Sequence, residues 1–397
     1  MELQSLLRDS STKILLLVID GLGGFADADH GTELENAPTP NLDELAGEGI
    51  LGLLEPVAAG ITPGSGPGHL ALFGYDPLEH RFGRGVLTAA GIGVDLRPGD
   101  VAARGNLCRL ADDGTIADRR AGRLDDDIAR ELVRRSSDAV DAVDVDGVDV
   151  EIHHVKGHRV LVVLRGDLDP RVADTDPHRT GVPPHDPVAQ VDGAEATAAA
   201  VGAVLDQVRD ALAGEEANGL LLRGFEGHRT LPSMHERFGL RAAAVAGYPM
   251  YRGVAQLVGM DVQRLPESLD DACDVAEQAF RDHDFVFLHH KDADRAGEDG
   301  DRSAKEQAIA DVDAVLPRLR SLGPDVIAVS GDHSTPSQLA AHSWHPVPTL
   351  VWNGRERDEH TQFGERWCRT GALGRRPTIE LMPMLLAMAG RLDKYGA

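Results

Sequence analysis

Acidic and imidazole side chains recur in this sequence directly after apolar runs. KILLLVID ends on Asp20, and DVIAVSGDH ends on Asp332 and His333. A third run, DFVFLHHKDADRAGED, continues into Asp294 and Glu298. Carboxylate oxygens and imidazole nitrogens are the groups that hold divalent cations such as Mn²⁺, Mg²⁺ or Zn²⁺. The chemistry that these residues suggest is therefore metal-ion chemistry.

Each of these signals has an alternative interpretation when it stands alone. An aspartate after a strand, such as Asp20, is more often a helix cap than a ligand. Asp294 and Glu298 are four residues apart, which places them on one helical face, but such pairs are usually solvated. The adjacent pair Asp332–His333, followed by His342, is a stronger signal because buried Asp and His need partners that a cation supplies.

The apolar runs predict the elements that position these residues. Four runs of strand length match one another, and a fifth is weaker; they cover residues 13–20, 284–291, 325–333, 347–353 and 241–247. Helical periodicity lies between them, most clearly over 303–322. Alternating strands and helices predict a doubly wound α/β core around a parallel sheet. Its strands would bring the ligand candidates to one edge, as a site for two cations.

Ser65 lies in the unusual segment ITPGSGPGHLALFGYDP, residues 61–77. The glycines and prolines predict a tight turn, and the apolar residues after them predict a helix. One interpretation is a simple cap of that helix. The other is a nucleophile, because helix-start amides favour an anion and nearby cations lower the pKa of an alcohol.

The middle of the chain has a different composition. It combines acidic stretches such as DAVDAVDVDGVDVE with an Ala-rich helical pattern at 194–212. We interpret residues 101–214 as an inserted α+β domain, and residues 1–100 and 215–397 as the metal-binding core. The insertion also contains clusters of arginine and histidine, in RGN, DRRAGR, HHVKGHR and DTDPHRTG.

Composition excludes several classes of function. The net charge of −25 repels nucleic acids and anionic membranes, and no apolar run is long enough to cross a bilayer. The start lacks a basic signal-peptide region, so a cytoplasmic location is expected. Three widely spaced cysteines favour buried thiols over disulfides. Only five basic residues are lysines, which fits either a salt-rich cytoplasm or a GC-rich genome.

These motifs together resemble those of the archaeal-type cofactor-independent (2,3-bisphosphoglycerate-independent) phosphoglycerate mutases of the alkaline phosphatase superfamily. The resemblance covers nearly the whole chain and rests on these segments: VIDGLGG, APTPNLDELAGEG, PGSGPGHLALFGYDP, GRG, RGN, DRRAGR, DTDPH, YPMYRGVAQLVGM, HHKDADRAGEDGD and GDHSTPSQLAAHSWHPVP. It implies an alkaline-phosphatase-like, mostly parallel sheet with a smaller inserted domain that binds substrate or caps the site.

The resemblance also implies roles for individual residues. Ser65 would be the serine that carries the phosphoryl group, with Arg252 beside it where the family commonly has lysine. One metal ion would take Asp20, Ser65, Asp332 and His333, and the other Asp294, Glu298 and His342. Glu298 stands where the superfamily usually has histidine, and this carboxylate shifts the preference toward harder ions such as Mn²⁺ or Mg²⁺. The expected ion is Mn²⁺, with Mg²⁺, Co²⁺ or Zn²⁺ as alternatives. Substrate would contact residues of the insertion: Arg104, Arg120, Arg123, His154 and Arg159.

The implied activity is interconversion of 3-phosphoglycerate and 2-phosphoglycerate in glycolysis and gluconeogenesis, through a phosphoserine. The enzyme would be an isomerase that acts by intramolecular phosphotransfer on a small phosphorylated three-carbon acid. Three alternatives stay open. They are a metal-dependent phosphatase or phosphodiesterase, another phosphotransferase of the superfamily such as a homoserine kinase-like enzyme, and a binding or scaffold protein that kept the fold and lost the chemistry. A homo-oligomer is also an open alternative, because the sequence does not specify the number of subunits.

Overall fold

A computed structural model describes residues 3–27, 30–80, 83–122, 124–140 and 147–396. The chain divides into two compact units, one formed by residues 1–81 and 231–397 and the other by residues 82–230. The strands are β1 (Ile14–Ile19), β2 (Ile50–Glu55), β3 (Val101–Leu110), β4 (Ile116–Asp118), β5 (Asp149–Lys156), β6 (Arg159–Arg165), β7 (Gly219–Gly227), β8 (Ala242–Val245), β9 (Asp261–Val262), β10 (Phe285–His290), β11 (Val326–Ser330), β12 (Val347–Trp352) and β13 (Gly374–Pro377).

Helices connect most of these strands. The α-helices are α1 (Glu33–Asn36), α2 (Pro40–Gly47), α3 (Ser65–Leu72), α4 (Arg84–Gly91), α5 (Asp126–Val140), α6 (Glu195–Ala211), α7 (Met234–Phe238), α8 (Pro249–Leu257), α9 (Leu269–Asp282), α10 (Asp292–Glu298), α11 (Arg302–Ser321), α12 (Glu365–Cys368) and α13 (Leu381–Met388). Two 3₁₀ helices cover Leu3–Leu6 and Thr378–Glu380. No helix of the described residues is long and apolar enough to cross a membrane.

The larger unit is built on an eight-stranded sheet with the order β13-β2-β12-β11-β1-β10-β8-β9. All neighbouring pairs are parallel except those of β12, which is antiparallel to β11 and β2. The predicted doubly wound, mostly parallel α/β core is therefore confirmed. Every residue of β1 is buried, which explains its continuous apolar sequence.

Both faces of this sheet are covered because successive side chains of a strand point to opposite sides. Leu15, Leu17 and Ile19 belong to a buried cluster that also contains residues of α2, α9 and α11. On the other face, the ring of Phe287 in β10 lies 4.9 Å from that of Phe73, directly after α3. The three cysteines are buried free thiols, as expected.

The sequence analysis treated 347–353 as one more strand of a parallel sheet, but β12 runs antiparallel to β11. The reason is the connection: residues 331–346 contain no helix, and a parallel neighbour needs a long crossover, usually helical. The chain therefore leaves and re-enters the sheet at the same edge. The segment between them carries Asp332, His333 and His342.

The smaller unit is an antiparallel sheet in which β4, β3, β6 and β5 follow one another and β7 pairs with β3. Helices α5 and α6 cover one of its faces and share a buried apolar cluster with it. The predicted insertion, 101–214, lies within this unit. The unit extends to residues 82–230 because α4 and β7, at its two ends, pack on β3.

Buried Lys305 of α11 connects the two loops that follow β1 and β11. Its ammonium group donates to the carbonyl oxygens of Gly23, at 3.1 Å, and Thr335, at 2.8 Å. The carboxylate of Glu33, itself buried, lies 3.9 Å from the same nitrogen and balances its charge. The loops that carry Asp20 and His333 are therefore tied to one helix.

Replacing Lys305 by methionine should destabilise the protein by about 3 kcal/mol, because the Glu33 carboxylate would be left buried without a cation. Urea unfolding, followed by circular dichroism, measures this change. Lys394→Met, at an exposed position, is the control and should change the free energy of unfolding by less than about 0.5 kcal/mol. Equal stabilities of the two variants would contradict the role given to Lys305.

Candidate metal centre

Three neighbouring strands deliver the acidic groups to one edge of the larger sheet. β1 lies between β10 and β11, parallel to both and in register with them, so their carboxyl ends coincide. Asp20 directly follows β1, and Asp332 and His333 follow β11 after one glycine. Asp294 lies in α10, which begins two residues after β10.

Asp20, Asp332 and His333 form one group that could hold a metal ion, with ligand atoms within 4.8 Å of one another. All three are fully buried. Nε2 of His333 lies 3.4 Å from Oδ1 of Asp20 and 3.2 Å from Oδ2 of Asp332. The Ser65 hydroxyl oxygen lies 3.1 Å from the same nitrogen. The structure thus brings the serine of the glycine-rich turn to this group.

A second group consists of Asp294, His333 and His342. Nε2 of His342 lies 3.6 Å from Oδ1 of Asp294, and Nδ1 of His333 lies 3.8 Å from the same oxygen. The sequence analysis placed Glu298 with Asp294 and His342. Its carboxylate lies 3.5 Å from Nε2 of His342, but its side chain is 54% exposed and the compact group contains His333 instead.

The carboxylates of these groups fit a cation. Oδ1 of Asp20 and Oδ2 of Asp332 are buried and accept no hydrogen bond within the described part of the chain. Burial, together with the charges of Asp20 and Asp294, holds the pKa of Asp332 well above its ordinary value. Buried like charges and unpartnered acceptor oxygens are costly, and a divalent ion would relieve both costs.

Lys291 is the cation of this site, and the sequence analysis did not single it out. Its ammonium group lies 3.1 Å from Oδ2 of Asp20 and 2.5 Å from Oδ2 of Asp294, so it contacts one carboxylate of each group. Burial opposes its charge, but Asp20 and Asp294 raise its pKa above the ordinary value. The signal that could have found it is a lysine, in a chain with five, directly after a buried strand.

Arg252, which the resemblance placed beside the phosphoryl group, donates instead to the main chain. Its Nη1 lies 2.9 Å from the carbonyl oxygen of Gln263 and 3.2 Å from that of Ala246. No hydrogen bond or ion pair recorded among the described residues joins Arg252 to the two metal-binding groups. The preceding residue, Tyr251, does reach the site: burial and then the Asp20 and Asp332 carboxylates raise the pKa of its phenol.

Two further histidines lie beside the candidate ligand carboxylates and were also missed. Nε2 of His289 lies 3.1 Å from Oδ2 of Asp20. Nδ1 of His69 lies 2.8 Å from the carbonyl oxygen of Ser65 and 3.2 Å from Oδ2 of Asp332. Burial lowers the pKa of both imidazoles to about 4, so both are neutral at physiological pH. Neutral histidines behind ligating carboxylates fix the direction of the ligands without adding charge.

The smaller unit carries a basic face. Arg104 of β3 lies opposite Arg223 of β7, and Asn106 of β3 lies opposite Arg159 of β6. Residues 104, 106, 159 and 223 therefore share one face of the antiparallel sheet. Buried His158 lies among these charges: burial, and then Arg159, Arg120 and Arg104, lower its pKa to about 4. Three of the arginines predicted to bind substrate thus lie close together.

The two remaining predicted substrate residues do not join this cluster. His154 lies opposite Val160, which belongs to the apolar cluster on the helix-covered face. Its Nε2 lies 3.1 Å from the carbonyl oxygen of Gly157 and 3.6 Å from the carboxylate of Asp126. Arg123 lies outside the described residues.

Comparisons with known proteins agree with one another. A family model described as 2,3-bisphosphoglycerate-independent phosphoglycerate mutase matches residues 46–218. A probable enzyme of that name from Thermus thermophilus is 46% identical over 404 residues, covering 100% of this chain and 98% of that protein. Its counterpart from Deinococcus radiodurans is 47% identical over 406 residues, covering 99% and 98%.

Solved structures give the same result. The cofactor-independent phosphoglycerate mutase from Thermoplasma acidophilum is 32% identical, with a TM-score of 0.71 over 96% of this chain and 100% of that chain. A protein from Pyrococcus horikoshii is 29% identical, with a TM-score of 0.83 over 97% and 99%.

The mostly parallel sheet, with carboxylates, imidazoles and a serine at its carboxyl edge, defines an α/β protein with a candidate divalent-metal centre. The full-length identity to the Thermus and Deinococcus proteins makes the assignment more specific. The chain belongs to the family of 2,3-bisphosphoglycerate-independent phosphoglycerate mutases.

Lys291 contacts one carboxylate of each candidate metal group, so we expect it to compete with a bound cation. Replacing Lys291 by methionine should therefore tighten Mn²⁺ binding by about tenfold, because a repelling positive charge is removed. The metal-free variant should also lose about 2 kcal/mol of stability, because two buried carboxylates lose their cation. Calorimetric titration with Mn²⁺ and urea unfolding of metal-free protein measure the two effects.

Lys291→Arg preserves the charge and is the matched control, with both values expected near those of the unsubstituted protein. A folded Lys291→Met protein that binds Mn²⁺ more weakly would show that Lys291 supports the ion rather than competing with it.

Proposed function

We propose that this protein interconverts 3-phosphoglycerate and 2-phosphoglycerate, with Ser65 carrying the phosphoryl group between the two half-reactions. The observation that supports this most directly is the 3.1 Å distance between the Ser65 hydroxyl and Nε2 of His333, within a buried group of carboxylates. The family to which the chain belongs is named for this activity. We further propose that the enzyme acts in glycolysis and gluconeogenesis in the cytoplasm.

The donor set assigns the residues that would hold two divalent ions. Asp20, Ser65, Asp332 and His333 would hold one, and Asp294, Glu298 and His342 the other. Carboxylate oxygens outnumber imidazole nitrogens, which favours Mn²⁺, with Mg²⁺, Co²⁺ and Zn²⁺ as alternatives. When bound, the ions would neutralise phosphoryl oxygens and lower the pKa of the serine hydroxyl.

The position of Ser65 suits an acceptor of phosphate. It is the first residue of α3, and the backbone amides of the first helical turn favour an anion at that point. Gly68 lets the helix approach the neighbouring loop, because a Cβ there would lie 2.2 Å from the carbonyl oxygen of Asp332. The helix thereby holds Ser65 against the acidic loop.

In the first half-reaction the Ser65 oxygen forms a bond to phosphorus, and the bond from phosphorus to the C3 oxygen breaks. The proton that Ser65 loses ends on the C3 oxygen, which leaves glycerate with a free C3 hydroxyl. In the second half-reaction the C2 oxygen of glycerate bonds to the same phosphorus, the bond from phosphorus to the Ser65 oxygen breaks, and the proton of the C2 hydroxyl restores the serine hydroxyl. The two half-reactions together need no second phosphate donor, so no bisphosphoglycerate is consumed.

Glycerate has to remain bound between the two half-reactions, and the basic face of the smaller unit suits this task. Arg104, Arg120 and Arg159 surround His158, which is neutral and adds no charge. Arginine pairs with carboxylates through two parallel hydrogen bonds, which also fixes orientation. We assign these three arginines to the carboxylate and phosphate of the substrate. Contacts of the substrate with Arg123, His154 and Arg252 remain proposals that rest on the family resemblance alone.

The reaction is tested by incubating purified protein with 3-phosphoglycerate and Mn²⁺, without 2,3-bisphosphoglycerate, and following ³¹P resonances. We expect 2-phosphoglycerate to form. Ser65→Ala should lower the rate by at least about 10³-fold, because the group that accepts phosphate is removed. Ser321→Ala, at an exposed helix end, is the control and should leave the rate unchanged. Steady release of inorganic phosphate instead would indicate a phosphatase.

The role of the basic face is tested by Arg159→Gln. Loss of a charged hydrogen bond to the substrate should raise KM by about tenfold or more. Arg209→Gln is the control: this exposed arginine of α6 pairs only with Asp206 in the described structure, so KM should stay within about twofold. If both variants have the KM of the unsubstituted enzyme, Arg159 does not bind substrate.

A further inference from the structure

A pocket lies at the opposite edge of the larger sheet. Its volume is about 640 Å³. Three of its lining residues, Lys13, Arg241 and Asp284, directly precede β1, β8 and β10, which are parallel neighbours. The metal-binding groups follow the other ends of these strands. The six residues of β1 separate the two edges by about 20 Å, so this pocket is distinct from the metal centre.

Positive charge is concentrated in this pocket. Four permanent cations line it, together with His235: Lys13, Arg241, Arg281 and Arg391. Only two carboxylates, Asp9 and Asp284, line it as well. This excess occurs in a chain whose net charge is −25, where acidic side chains are abundant enough to neutralise an ordinary surface arginine. Clustered like charges are unfavourable unless an anion joins them.

The internal ion pairs neutralise this cluster only in part: Arg281 lies 3.9 Å from Glu277, which does not line the pocket. Asp284 accepts from Nε and Nη2 of Arg241, at 3.1 and 2.8 Å. The same carboxylate also serves Arg391, whose Nη2 lies 3.7 Å away. Lys13 donates to the carbonyl oxygen of Phe280, and it forms no ion pair with a carboxylate of the described residues. One carboxylate is thus shared by two guanidinium groups.

Arg391 supplies an independent observation. The residue is only 3% exposed, and its Nε is buried with no hydrogen-bond partner among the described residues. Its Nη2 donates to the carbonyl oxygen of Thr12. Burial lowers the pKa of this guanidinium, which shows how poorly its charge is solvated. A poorly solvated buried cation on the wall of a pocket that is lined by three further cations favours an anion in that pocket.

We propose that this pocket binds a small, multiply charged phosphate compound, either an inorganic polyphosphate or a phosphate ester. Several cations in one pocket favour a ligand with more than one negative charge. The hydroxyl groups of Ser10 and Ser11 also line the pocket and can donate to phosphate oxygens. The volume suits a small organic molecule rather than a single phosphate ion.

The test uses full-length, metal-free protein and inorganic pyrophosphate as the probe, with binding measured by calorimetric titration. Arg281→Glu should weaken binding by about tenfold or more, because it replaces a cation of the pocket by an anion. Arg281 is 71% exposed and 3.9 Å from Glu277, so the variant should fold. Arg366→Glu is matched: 71% exposed and 3.9 Å from Glu35, but outside the pocket. It should change the affinity by no more than about twofold.

Ser11→Glu provides a second, independent variant, because it places a carboxylate at an exposed position of the pocket wall. It should weaken pyrophosphate binding as Arg281→Glu does. If both variants bind pyrophosphate as the unsubstituted protein does, the bound phosphate lies elsewhere and the proposal is wrong. Absence of pyrophosphate binding by the unsubstituted protein, or equal weakening by Arg366→Glu, would also overturn it. None of these outcomes depends on mutase activity.

Discussion

The site depends on the crowding of three buried carboxylates at one edge of a sheet. Asp20, Asp294 and Asp332 are each almost completely inaccessible to solvent. Asp294 and Asp332 have raised pKa values because of burial and the neighbouring acidic charges, whereas Lys291 and His289 keep the pKa of Asp20 low. Such a cluster is unfavourable without cations. A divalent cation bound among these carboxylates would neutralise their charge, so the repulsion between them in the empty site favours binding of the ion.

His333 has a special position within that cluster because it belongs to both candidate groups. Its Nε2 faces Asp20 and Asp332, while its Nδ1 lies 3.0 Å from the Thr335 hydroxyl and faces Asp294. The ring also stacks on His342 with centroids 3.7 Å apart. The two candidate metal groups therefore share a single imidazole. Any displacement of the loop after β11 would affect both, which explains why Lys305 ties that loop to α11.

The sequence predicted most of the fold because the strands are buried on both faces and the helices have one apolar side. The helix expected at 303–322 is α11, Arg302–Ser321, and the Ala-rich helix expected at 194–212 is α6, Glu195–Ala211. The direction of β12 was not predictable from its own residues, since an apolar run has the same composition in either direction. The direction of β12 follows only from the absence of a helix between β11 and β12.

The candidate ligands of the metal centre were predictable from the sequence where they follow strands. Residues that tertiary contacts bring to the centre were less predictable. His69 does not follow a strand, and its proximity to Asp332 arises from packing of a distant segment. For Arg252 the motif predicts a phosphate contact, whereas the hydrogen bonds of its Nη1 with the carbonyl groups of Ala246 and Gln263 were not predictable from the sequence. Sequence specifies residue type, whereas side-chain direction follows from the neighbours.

An acidic protein that binds phosphorylated acids needs its cations in a few places. At physiological ionic strength, exposed charges more than about 8 Å apart are largely screened by the solvent. The net charge of −25 therefore contributes little to the binding of an anion at a buried or half-buried site. Anion binding depends instead on the charges close to each site. These are Arg104, Arg120 and Arg159 around a neutral His158, and Lys291 between two carboxylates. The few lysines are also concentrated near the candidate metal centre. Two of the five, Lys291 and Lys305, contact the candidate ligands or the loops that carry them.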